Sequence, residues 1–168
     1  NATNLPVSYV RSMAGVYGGT RLGRQELDGE LLEDIEGALW TRALIESGRC
    51  TAAPDLVRVV IGVDPPASAK GDACGIIAAG LDRAGKAWVL GDHSVSGKSP
   101  EGWARAVAQA AALWSADRVI AEANQGGDMV AATLRAADLS LPVRLVHATH
   151  GKSARAEPVA TLYEAGRA

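Results

Sequence analysis

The chain has 168 residues, 48% of them hydrophobic, enough for one packed domain and an additional segment but not for two full domains. A formal net charge of -2 and a pI of about 5.9 exclude a protein that holds nucleic acid through bulk positive charge, so any such contact has to come from a local basic patch or from partners. No apolar run approaches the ~20 residues of a membrane span, no signal peptide is visible, and Cys50 and Cys74 alone cannot make a zinc knuckle.

The two cysteines are compatible with one disulfide or, as a reducing compartment favours, with two thiols. Together these features point to a soluble, intracellular protein. With no Phe, the core has to be built from Ala, Val, Leu and Ile, with four Trp as large fillers.

Residues 1–50 read as a linker or the end of a preceding domain. Pro6 and Ser8 open a helical pattern carried by Val10, Met13, Ala14 and Tyr17, and Gly18-Gly19 closes it. Residues 51–168 form the expected domain. Leu56 to Val63 is β-branched and apolar, a buried central strand ending at Asp64-Pro65-Pro66. A polar turn over 67–72 leads to a second strand over 73–81. A turn over 82–86 then leads to a third strand over 87–92, and such short links imply antiparallel hairpins.

Ser99-Pro100-Glu101 then signals a helix start, followed by an apolar stripe of Trp103, Val107, Ala110, Ala111 and Trp114. A short strand over 118–121 ends at Glu122, a helix covers 129–137, and a last strand covers 143–146. The segment from Ser153 to about Ala165 is helix-like, with Pro158 either starting or kinking it. The fold class is therefore α/β: a mixed sheet of three antiparallel strands and then parallel strands, with helices packed on it.

Asp64 and Glu122 close two strands that a sheet of this kind places side by side. Carboxylates at that edge suit Mg²⁺ or Mn²⁺, which take oxygen ligands, and two such ions serve phosphodiester hydrolysis. An Asp before Pro-Pro also suits a plain turn, and a Glu ending a strand also suits solvent. Asp128 opens the 129–137 helix and reads as its cap more readily than as a ligand. Asn124 and Gln125 are placed to shape the loop after Glu122, and Gly126-Gly127 to turn it or to let a ligand approach. Lys152, Arg155 and Arg167, with His147 and His150 nearby, form a local basic stretch suited to a DNA backbone or to solvent. His93 reads as an edge residue rather than a general base.

Val60-Ile61-Gly62-Val63-Asp64-Pro65 and Gly71-Asp72-Ala73-Cys74-Gly75-Ile76 resemble the first strand and hairpin of the RNase H-like nuclease domain of large terminase subunits, from phages and gene transfer agents. Val119-Ile120-Ala121-Glu122-Ala123-Asn124-Gln125-Gly126-Gly127-Asp128 is similar to that family's second acidic motif. Gly151-Lys152-Ser153-Ala154-Arg155 and Leu162-Tyr163-Glu164-Ala165-Gly166-Arg167 are similar to its segment after the fifth strand. The stretch over 17–30 is similar to the joint between ATPase and nuclease.

The resemblance implies an endonuclease that cuts concatemeric double-stranded DNA with Mg²⁺ or Mn²⁺, two ions in the complete site. Asp64 and Glu122 would be its first two metal ligands, and Asp72 a candidate outer ligand. It further implies an ATPase domain in the same polypeptide, a small terminase subunit and a portal as partners, and a place in the cytoplasm of a bacterial host. The family pattern also puts a third acid on a later helix, so the domain is expected to be truncated at Ala168. Two other readings stay open. One is an RNase H-like module that docks DNA or the packaging machine without cutting. The other is a fragment of an actin-like phosphotransferase, in which the Asp64 strand and the Gly71-Asp72 hairpin cradle a nucleotide phosphate.

Overall fold

The computed structural model describes residues 38–66, 73–124 and 126–168. The chain divides into two compact units, Asn1–Arg42 and Ala43–Ala168, and the second holds the sheet. The helix expected before Gly18, the turn over 67–72 with Asp72, and Gln125 lie outside the described residues.

A short helix, α1 (Arg42–Ser47), precedes the sheet. The β-branched run predicted as a central strand forms β1 (Leu56–Asp64). β2 (Gly75–Asp82) and β3 (Ala87–Asp92) follow as antiparallel neighbours. β4 (Arg118–Glu122) lies parallel to β1 on its other side, and β5 (Val143–Val146) lies parallel to β4. The spatial order is β3-β2-β1-β4-β5, the mixed five-stranded sheet expected from the element order.

Asp82 organises the β2–β3 turn. Its carboxylate accepts the backbone N–H groups of Ala84 (2.8 Å) and Lys86 (2.9 Å) and the indole N–H of Trp88 (3.0 Å). The Lys86 N–H, more than any other of these donors, holds the Asp82 carboxyl below the usual carboxylate range.

One face of the sheet carries the core. Ile61 and Val63 on β1, Ile76 and Ala78 on β2, and Val119 and Ala121 on β4 alternate onto it and are buried. Two helices cover this face. α2 (Pro100–Leu113) starts as its sequence predicts, with Ser99 Oγ accepting the Gly102 N–H at 3.2 Å and proline in the first turn. It buries Trp103, Ala104, Val107, Ala110 and Ala111, and its alanines let it approach the sheet closely. α3 (Asp128–Ala137) adds Val130 and Leu134. Trp114 ends α2 half-buried against the core, and its indole N–H donates to His93 Nε2 at 2.8 Å. His93 is thus a packing partner at the end of β3.

The last helix, α4 (Lys152–Glu164), begins six residues before Pro158 and continues through it, so the proline neither starts nor stops it. A proline inside a helix leaves a carbonyl one turn earlier without its N–H donor. Beyond α4, the Arg167 carbonyl accepts the Ala87 N–H at 2.8 Å, anchoring the segment at the start of β3. Ala160, the buried residue of α4, is not part of the core described above, so α4 packs away from α2 and α3. Among the described residues no helix is long and apolar enough to cross a membrane.

Candidate metal centre

The register of two parallel strands sets the geometry of the site. β1 and β4 pair Val60 with Arg118 through to Val63 with Ala121. One residue further, Asp64 and Glu122 end their strands side by side, on neighbours about 4.8 Å apart. Asp117 fixes this register in a way the sequence did not signal. Its carboxylate accepts the Val59 N–H at 2.7 Å, and its own N–H donates to the Val59 carbonyl at 2.8 Å. The ladder is therefore clamped just before it begins.

The loops beyond the strand ends are tied as well. Asn124 Nδ2 donates to the Ala148 carbonyl at 3.0 Å, and its Oδ1 accepts the Ala148 N–H at 2.9 Å. A single side chain thus mimics one rung of a β-ladder; Asn124 shapes the loop after Glu122, as its sequence position suggested, by joining it to the loop after β5. On the other side, the Ile76 N–H donates to Ser94 Oγ at 3.0 Å, holding β2 one residue past its contact with Asp64.

Both carboxylates meet a cation from α4. Lys152 Nζ lies 3.3 Å from Asp64 Oδ2, and Arg155 Nη1 donates to Glu122 Oε2 at 2.9 Å. Residues three apart share one helix face, so a single surface of α4 addresses both acids. The Arg155–Glu122 pair is the more enclosed, with side chains 38% and 21% exposed, against 84% and 55% for Lys152 and Asp64. Exposed pairs of this kind contribute little to stability. Their effect here is to neutralise two adjacent negative charges that would otherwise repel.

The basic stretch read from the sequence is therefore not one surface. Lys152 and Arg155 face the acids, whereas Arg167 follows α4 to the start of β3. Ala87 pairs with Leu81, and Leu81 with Arg58 near the beginning of β1, so Arg167 belongs to the opposite end of the sheet from Asp64. His147 and His150 are exposed, and the His150 ring pairs with the Thr149 hydroxyl.

Asp128 is exposed at the first position of α3 and does not cap it; Gly127 takes that place. Gly126 and Gly127 both adopt positive φ, a conformation costly for an aspartate, so the glycines make the turn and Asp128 contributes its charge to the helix's first turn. Among the described residues no group of three or more His, Cys, Asp or Glu side chains could hold a metal. Asp64 and Glu122 thus supply two oxygen donors of the type a hard divalent cation takes.

Cys74 lies buried near Asp64. Burial, and then the nearby charge of Asp64, push its thiol up to about 11. Cys50 is a free, exposed thiol. Iodoacetamide at neutral pH is accordingly expected to label the native chain once, at Cys50, and twice only after unfolding; labelling of Cys74 in the folded chain, read by peptide mass, would contradict this burial.

The model of the Terminase RNaseH-like domain family matches residues 61–168. The chain belongs to this family. The match takes in Asp64, Glu122 and α4, and so includes, but for Val60, the three resemblances on which the sequence reading of the sheet domain rested; the stretch over 17–30 lies before it. The mixed sheet of this terminase domain is the RNase H-like one.

Two solved structures are also similar. Thermus thermophilus RuvC is 20% identical, with 53% of this chain and 63% of that chain covered and a TM-score of 0.40. T. thermophilus RuvC in complex with a Holliday junction substrate is 18% identical, with 66% and 78% covered and a TM-score of 0.45. The terminase domain thus spans less than two thirds of the first of these chains. No curated protein matches it.

Proposed function

We propose that this terminase domain is a metal-dependent endonuclease that hydrolyses phosphodiester bonds of concatemeric double-stranded DNA during packaging. The observation that carries the reading is the placement of Asp64 and Glu122 at adjacent ends of two parallel strands, accessible and held in register by Asp117 and Asn124. Asp64 and Glu122 would hold Mg²⁺ or Mn²⁺, two ions in the complete site. When bound, such ions supply charge neutralisation and Lewis-acid activation.

The chain's own residues do the rest. The two carboxylates fix the reacting edge, and the Asn124 clamp ties together the loops that flank it. Lys152 and Arg155 balance the acids and stand beside the path of an incoming phosphate. The reading places the domain in the cytoplasm of a bacterial host, with an ATPase in the same polypeptide and a small terminase subunit and portal as partners.

Arg155 is also the group most directly in competition with a divalent ion for Glu122. Arg155→Gln removes a positive charge a few ångströms from that ion and is expected to tighten Mn²⁺ binding about tenfold, since like charges at such range cost roughly 1 kcal/mol or more even in water. Titration followed by the electron paramagnetic resonance of free Mn²⁺ reads this, and unchanged affinity would show that the ion pair does not oppose metal.

A second reading is favoured by the same two ion pairs: if they are permanent, the domain docks DNA without cutting. Incubating supercoiled plasmid with the protein in Mn²⁺, Mg²⁺ or EDTA separates the two. Relaxed or linear product in either metal and none in EDTA supports the nuclease; retarded but intact plasmid supports the docking module.

A further inference from the structure

Lys152 and Arg155 are engaged with acids, and Arg167 follows α4 to the start of β3, so an acidic chain that holds DNA has use for further contacts. Three arginines answer this need, one on each of the parallel strands. The alternation that buries Ile61 and Val63 turns Arg58 to the face opposite α2 and α3. The burial of Val119 does the same for Arg118, and the inward packing of Val143 and Leu145 does so for Arg144. All three are exposed, and among the described residues none makes an ion pair or a side-chain hydrogen bond.

Their register places them on a line. Arg118 pairs with Val60, two residues beyond Arg58, and Arg144 pairs with Ile120, two residues beyond Arg118. Each step crosses one strand and advances two residues, about 8 Å from one Cα to the next. The line climbs toward the strand ends that carry Glu122 and Asp64. α4 leaves this part of the face open, because it runs from those acids toward Ala87 at the start of β3, away from β4 and β5. Half-buried Val60, Gly62 and Ile120 floor the strip. A row of unpaired guanidinium groups on a low floor, its last member one strand and two residues from Glu122, is complementary to a sugar-phosphate backbone delivered to that edge.

We propose that Arg58, Arg118 and Arg144 form a track for the backbone of duplex DNA that leads it to Asp64 and Glu122. This rests on the nuclease reading above for the destination of the strand. The track supplies affinity without sequence preference, and it makes binding depend on salt through the counterions it releases.

The test is fluorescence anisotropy of a labelled DNA duplex with the full chain, between about 50 and 200 mM salt, in Ca²⁺ and in EDTA. Each of Arg58→Gln, Arg118→Gln and Arg144→Gln is expected to flatten the plot of log affinity against log salt by about 0.9, and the triple variant by about 2.7. Lysine at the same positions restores the slope. Arg83→Gln, which removes an exposed charge from the β2–β3 turn, leaves it unchanged. Circular dichroism verifies that the variants are folded. Duplex binding with a native slope in the folded triple variant, or equal flattening by Arg83→Gln, overturns the track. If metal-dependent cleavage persists in that case, the nuclease reading stands without the track; if the native chain neither binds nor cuts duplex DNA, both fall.

Discussion

Asp64→Asn is expected to lower Mn²⁺-dependent plasmid cleavage by about 10³-fold, to the level seen in EDTA, a loss corresponding to roughly 4 kcal/mol of transition-state stabilisation. The substitution keeps the size of the side chain and one acceptor oxygen, removes the charge, and puts an NH₂ donor where the second oxygen stood. Asp64 is the last residue of β1 and exposed, and among the described residues its carboxylate meets a side chain, Lys152, rather than the backbone, so its replacement should leave the sheet intact. The effect is therefore assignable to chemistry if the melting temperature of the variant is native. Glu122→Gln should behave alike, and the two changes together should cost little more than either alone, because both remove donors from one site. Cleavage by Asp64→Asn at more than about a tenth of the native rate would remove Asp64 from the proposed site.

The second large effect concerns the platform beneath those acids. Ile61 is fully buried at the middle of the central strand, between Ala78 on β2 and Val119 on β4. Ile61→Ala should lower the unfolding free energy by about 3–4 kcal/mol, within the range for large-to-small changes in packed cores. The surroundings are rich in alanine, with Ala78, Ala104, Ala110 and Ala121 all buried. Such short side chains cannot swing into the space, so the cavity should persist. Ile61→Val should cost about 1 kcal/mol. Urea unfolding reads both, with the midpoint shifting and the slope unchanged. A loss below about 1 kcal/mol for the alanine variant would mean that the sheet relaxes around the gap.

Much of this architecture could be read from local pattern. The β-branched run of β1, the Asp82 turn and the Ser99-Pro100-Glu101 start of α2 each carry their own instruction within a few residues, and each element formed where its pattern lay. Asp64 and Glu122 were legible because a strand's last residue is easy to place once the strand is. The cap of α3 was not: Asp128 has the right chemistry, but two glycines with positive φ shift the helix start by one residue.

The basic residues were harder still. Lys152, Arg155 and Arg167 are near one another in sequence, yet more than two turns of helix separate Arg167 from the other two, and only the tertiary fold shows that the first two face acids. Conversely, Arg58, Arg118 and Arg144 lie far apart in sequence and converge only through strand register. Asp117 likewise looks like an ordinary loop acid until its pairing with Val59 is seen.

The most direct test of the central claim, that Asp64 and Glu122 form a divalent-cation site, is a Mn²⁺ titration of the native chain beside Asp64→Asn and Glu122→Gln, followed by electron paramagnetic resonance. The account predicts saturable binding to the native protein, weakened at least about tenfold in each variant, since each loses one of two charged oxygen donors. Equal binding by all three proteins, or none by the native chain, would contradict it.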